Sequence, residues 1–197
     1  MTATSTPPPT AAQLHPVLED LAALLDNVSE EQWNAPTPCS DFTVAQLRDH
    51  VVQWSSAFAG GLADPDGRTP DADSIAVAGD GADQLRSNAD KISDAVDDGA
   101  ADRPLFIGDE SLPGDMSLAM ILWEYQVHGW DLAVATGQPW SPDEAGVRAS
   151  LAFAPGMLTP DFQGEGKSFG PRVAVPADAA AIDHLVGLSG RDPQWRP

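Results

Sequence analysis

Two side chains in the stretch ILWEYQVHGWD (residues 121–131) differ in kind from their neighbours. Glu124 and His128 stand four positions apart among aliphatic and aromatic residues. A helix would set them on one face, a turn apart, in or beside an apolar interior. Burying two polar groups there costs several kcal/mol unless a hydrogen-bond partner, an ion pair or a metal satisfies them. A third candidate, His50, lies 74 residues before Glu124 in DHVVQW, between Leu47 and Trp54, and so borders an apolar helix stripe. If neighbouring helices bring His50 to Glu124 and His128, two imidazoles and one carboxylate with a fourth position open match the donor set of a catalytic zinc. The E-x3-H spacing lets one helix grip an ion at two points, as HExxH does, with glutamate taking a ligand place. Such a pair is usually a solvated pair or a core hydrogen bond, and spacing by itself leaves a metal as the minority reading.

Other reactive groups are read more plainly. Asp131, three residues after His128, suits a group that orients a ligand imidazole, and suits an interhelical polar contact as well. Cys39, just before a helix start, would gain thiolate character from the helix N-terminus, although a buried inert thiol is the simpler reading. His15 and His184 read as partly exposed helical histidines. Trp33, Trp54, Trp123 and Trp130 read as packing residues.

The elements that must position these groups are helical. Leu14, Val17, Leu18, Leu21, Leu24, Leu25 and Val28 repeat at helical spacing from Ala11 onward. After the proline-broken linker NAPTPCSDF, Thr43 and Gln46 form a capping-box pattern. The helix they open carries the stripe Val44, Leu47, Val51, Trp54 and Phe58 and is expected to stop at Gly60-Gly61. A third helix is expected from about Ser74 to Val96, although Gly79 and Gly81 weaken its first half. Residues 97–114 read as irregular, with one short extended piece at LFI. The fourth helix, about Ser117 to Thr136, turns Leu118, Ile121, Leu122, Tyr125, Leu132 and Ala135 inward and ends at Gly137. A fifth is expected from about Pro142 to Ala154, and a last one in PADAAAIDHLVGLSG, ended by Gly190. No alternation is long enough for a sheet. The reading is an all-α antiparallel four-helix bundle over about residues 11–140, with a short helical C-terminal extension over about 141–197. Together these make one domain after a disordered tail at residues 1–10.

Thirty acidic residues against ten basic ones give a formal charge of −20, a field that repels phosphate backbones and anionic membrane surfaces. No nucleic-acid or membrane partner is expected. The N-terminal sequence has no signal-peptide pattern, no apolar run reaches the roughly 20 residues of a membrane span, and a single cysteine excludes an internal disulfide. A cytoplasmic protein is expected.

Two blocks and the C-terminus carry a family resemblance. TPCSDFTVAQLRDHV (37–51) and EYQVHGWDLAVATGQPW (124–140) resemble two ordered blocks of the DinB-like, mycothiol-dependent maleylpyruvate isomerase group. The ending FGPRVAVPADAAAIDHLVGLSGRDPQW is similar to that of an actinobacterial subfamily of metal-binding proteins closing in G-R-D-P-x-W. The resemblance implies a four-helix bundle with a divalent metal, zinc, held by His50, Glu124 and His128. It further implies a small thiol such as mycothiol as co-substrate, added to an electrophilic substrate by a transferase or isomerase. Maleylpyruvate isomerase activity itself is not implied, because that enzyme's further C-terminal domain is replaced here by a short extension. A non-catalytic metal- or ligand-binding bundle and a metal-dependent hydrolase remain open, as does a homodimer through an exposed helix face.

Overall fold

The computed structural model describes residues 11–167 and 169–197, so the expected tail at residues 1–10 lies outside the described residues. Helix α1 (Ala11–Asp26) buries the predicted leucine and valine stripe from Leu14 to Leu25. Helix α2 (Val44–Ala63) opens on the predicted capping box. The Thr43 hydroxyl accepts from the Gln46 N–H at 3.3 Å, and the Gln46 side chain accepts from the Thr43 N–H at 2.9 Å.

Helix α2 does not stop at Gly60-Gly61 as the sequence suggested; it runs on to Ala63. Gly61 serves close packing instead. A Cβ there would come within 2.7 Å of the Thr69 side chain and 2.8 Å of Leu105. Helix α3 (Ala82–Asp97) begins eight residues later than expected. Gly79 and Gly81, with φ of +58° and +88°, turn the chain before the helix can start. The LFI piece is extended as predicted, but it has a partner the sequence did not reveal. Strand β1 (Leu105–Ile107) pairs antiparallel with β2 (Glu110–Leu112), joined through Gly108 at φ +61°. A positive φ at the first position of a two-residue hairpin loop explains that glycine.

Helix α4 (Gly114–Thr136) ends at Gly137, which takes φ +70°. Helix α5 (Glu144–Met157) starts two residues after Pro142, once the Asp143 carboxylate has capped the Gly146 N–H at 3.0 Å, and continues through Pro155. Helix α6 (Ala181–Leu188) is shorter than its apolar pattern suggested.

The fold is an all-α bundle, as expected, with a single two-stranded hairpin among the described residues. Helices α1 and α2 each pack against both α3 and α4. The first core runs through all four and holds Leu18, Leu25, Leu47, Val51, Phe58, Leu85, Ile92, Ile121 and Tyr125. Fully burying one such side chain is worth about 1.5–3 kcal/mol against leaving it exposed. A second core lies on the far side of α4, where Trp123 and Val127 meet Val147, Ala154 and Leu158 of the α5 region and Leu185 of α6. Helix α4 is therefore covered on nearly every face, which explains why it lacks the polar stripe of a surface helix. No described helix is long and apolar enough to cross a membrane.

Candidate metal centre

The second turn of α2 carries His50 to the seam with α4. Its neighbours Leu47 and Val51 anchor that turn in the core, so the imidazole is delivered to the rim of the bundle. The ring stacks on Phe42, with centroids 5.0 Å apart and planes 29° from parallel, and stands 6.5 Å from the Trp54 ring. Across the seam, α4 presents Glu124 and His128 from successive turns. The His50 and His128 rings meet edge to face at 5.1 Å.

The donor atoms of His50, Glu124 and His128 lie within 4.8 Å of one another. His50 Nε2 stands 3.4 Å from Glu124 Oε1, longer than a well-formed hydrogen bond of about 2.7–3.2 Å. Two atoms bound to one zinc at about 2.1 Å in tetrahedral geometry would stand about 3.4 Å apart. The spacing therefore suits shared coordination better than direct pairing. The His50 and Glu124 side chains keep 25% and 23% of their surface exposed and His128 keeps 10%, so the group opens to solvent on the His50–Glu124 side.

Asp131 takes the position expected for an orienting group. Its Oδ2 lies 3.1 Å from His128 Nδ1, and its side chain is wholly buried. Burial raises the Asp131 pKa, but the Arg191 guanidinium and the hydrogen bond from His128 outweigh it, and the carboxyl ends below its ordinary value. An ionised Asp131 requires His128 to be the donor, which puts the ring proton on Nδ1 and the lone pair on Nε2. Burial also holds His128 below the usual imidazole range, despite the pull of Asp131 in the other direction. A neutral imidazole with a fixed tautomer is the form that binds a metal. The donor types, their spacing and this support all fit a divalent ion.

The sequence did not single out Arg191. Its Nη2 lies 3.1 Å from Asp131 Oδ2 across 60 residues of chain. The available signal was an aspartate inside an apolar helix, which must have a partner, and few arginines exist to supply one. Cys39 is not part of the converging group. Burial raises its pKa, partly countered by Arg191, so the inert-thiol reading fits better than the activated one. Trp123 and Trp130 are buried and Trp33 and Trp54 pack at the edge of the first core. His15 pairs with Asp90 at 3.1 Å on the surface, and His184 is half-buried on α6.

Residues 14–133 match the family described as "Mycothiol maleylpyruvate isomerase N-terminal domain". The matched span takes in all three converging residues. Two proteins of Mycobacterium tuberculosis, each named as uncharacterized and coming from strains CDC 1551 and H37Rv, are 32% identical over 170 residues, covering 86% of this chain and 91% of each relative. No solved structure matches the chain.

Proposed function

The chain belongs to the mycothiol maleylpyruvate isomerase N-terminal domain family, and on that premise we propose that it is a divalent-metal protein, with zinc as the metal, that adds a small thiol of the mycothiol class to an electrophile as a transferase or isomerase. The observation that carries this reading is the convergence of the donor atoms of His50, Glu124 and His128 within 4.8 Å of one another, with His50 Nε2 and Glu124 Oε1 3.4 Å apart. Bound there with one position free, a divalent ion would lower the pKa of a thiol or water toward neutrality. His50 and Glu124 hold the solvent-exposed side and His128 the buried side. Asp131 keeps the proton on His128 Nδ1 and so keeps Nε2 available. Phe42 and Trp54 flank His50 and form an apolar wall at the mouth. That wall would limit water at the reacting atoms and suits an electrophile with an apolar body.

Metal analysis of protein purified without a histidine tag tests the site. The wild type is expected to retain about one equivalent and His128→Ala far less; equal content in the two would overturn the three-ligand assignment. Incubation with mycothiol and monochlorobimane tests the chemistry. A rate above the metal-stripped control supports thiol transfer, and its absence in metal-loaded protein favours a non-catalytic binding bundle. Hydrolysis of activated esters or amides without thiol would favour a hydrolase.

A further inference from the structure

The geometry points to Arg191, on the C-terminal segment, as a positioning residue of the metal centre that acts through Asp131 on the ligand His128. This inference rests on the proposed metal site and extends it to a part of the chain outside the span that matches the family.

The local sequence explains how Arg191 arrives. Helix α6 ends in a Schellman motif. The Gly190 N–H donates to the Gly187 carbonyl at 3.2 Å, and the Arg191 N–H donates to the Val186 carbonyl at 2.9 Å. Gly190 takes φ +83°, and a Cβ there would sit 2.5 Å from the Gly170 carbonyl oxygen, so glycine is required on both counts. This turn sends Arg191 back under α4. Its Nη1 donates to the Ser189 carbonyl at 2.9 Å, its Nη2 reaches Asp131 Oδ2 at 3.1 Å, and its Nε lies 3.4 Å from both carboxylate oxygens. Ser189 is itself fixed by the Trp123 indole N–H at 2.9 Å, which ties the turn to α4 at a second point.

The guanidinium is 7% exposed and the carboxylate 0%. A buried ion pair is no better for stability than well-packed apolar side chains of the same volume. Its specific effect is on the third member. Arg191 holds Asp131 in one orientation, with Oδ2 placed 3.1 Å from His128 Nδ1. Partners at this remove from a metal shift affinity by about 10- to 100-fold.

The test uses the full chain. Arg191→Met alone leaves a buried unpaired carboxylate and is prone to unfold, so Asp131→Asn/Arg191→Met removes the pair as a unit, and Arg191→Lys keeps the charge without the planar fork. Nitrogen-15 NMR of the histidine rings in metal-free protein is expected to show His128 as the Nδ1–H tautomer in the wild type and a mixture of tautomers in the double variant. Zinc affinity is expected to fall about 10- to 100-fold in the double variant and less in Arg191→Lys. An unchanged His128 tautomer and unchanged affinity in the double variant would overturn the assignment. If the double variant does not fold, wild-type affinity in Arg191→Lys together with an Nε2–H tautomer in the wild type overturns it. A wild type that binds no zinc yet shows the tautomer difference refutes the metal site and leaves the Arg191–Asp131–His128 relay standing.

Discussion

His50 Nε2 and Glu124 Oε1 face each other at 3.4 Å across the seam between α2 and α4, near enough to share an ion and too far apart to satisfy one another well. The two side chains come from helices that the chain connects only after α3 and a hairpin. Their approach is set by the core beneath them, where Leu47 and Val51 of α2 pack with Ile121 and Tyr125 of α4. The Tyr125 hydroxyl reaches the Val51 carbonyl at 3.4 Å, a long contact in the same seam.

Metal should stabilise the fold. A ligand at about 100 times its Kd adds about 2.7 kcal/mol, which for a chain of this size raises Tm by roughly 5–10 °C. Thermal unfolding of metal-stripped protein with and without added zinc measures this. Glu124→Gln should lose most of the shift while keeping the metal-free Tm near wild type. A full shift in that variant would remove Glu124 from the ligand set.

Gly129→Ala should destabilise the chain. A Cβ on Gly129 would lie 2.1 Å from the Trp140 ring, whose indole N–H also donates to the Gln126 carbonyl at 3.1 Å. Overpacking of this kind costs about 1–3 kcal/mol. Urea unfolding of the two proteins at equal m-value checks it, and an unchanged midpoint would mean that Trp140 moves aside freely.

Acid should weaken the metal-free fold partly through His128. Burial holds its native pKa below the reference 6.5, so the unfolded chain takes up this proton first as pH falls. The contribution to stability is whole above that reference value and is lost as pH falls through the native pKa. Asp131 adds a further loss below its reference value of 3.8, by the same sign. Denaturant unfolding in chelator between about pH 7.5 and 5 should show stability falling in the wild type and falling less in His128→Gln. Parallel curves would mean that His128 titrates normally.

Cys39 should react slowly with alkylating reagents. Burial raises its pKa above the reference 9.0, and Arg191 only partly offsets this. At neutral pH the thiolate, which is the attacking form, is therefore scarce. The rate of iodoacetamide labelling followed by mass spectrometry should climb with pH to a midpoint above that of a free cysteine peptide. A midpoint below the peptide's would make Cys39 an activated thiol.

Much of this arrangement was legible in the residues. The capping box at Thr43 and Gln46 marked the start of α2, and the residues read as inward on α1 and α4 are nearly all buried. The second buried face of α4, with Trp123 and Val127, was not read. The E-x3-H pair and Asp131 three residues later follow from helical periodicity alone, which is why their mutual placement could be anticipated. The convergence of His50 with them is tertiary, and the spacing of one helix carries no information about which helix it packs against. The glycines misled at Gly60-Gly61, whereas the weakness that Gly79 and Gly81 gave the first half of the expected third helix pointed the right way. At Gly61 the missing side chain serves close packing inside a continuing helix, whereas at Gly79 and Gly81 it serves a turn. Composition cannot separate those uses. Strand β2 was missed because ESL has no alternation of its own and pairs only through the Gly108 turn. Arg191 was hidden because its partner lies 60 residues away and only the α6 turn brings them together.

Helix α4 lies between two cores, and that placement decides how an ion could leave. Backbone amides covered on both sides open only with the whole molecule, so hydrogen exchange in α4 should be among the slowest in the chain. Glu124 and His128 thus ride on an element that does not fray. His50 sits instead on the rim of α2, held by a stack on half-buried Phe42. Rotation of that one imidazole, with no unwinding of the helix that bears Glu124 and His128, would be the low-barrier way out of the proposed site. The lifetime of a bound ion would then be set by the aromatic packing around His50 and would vary little with global stability.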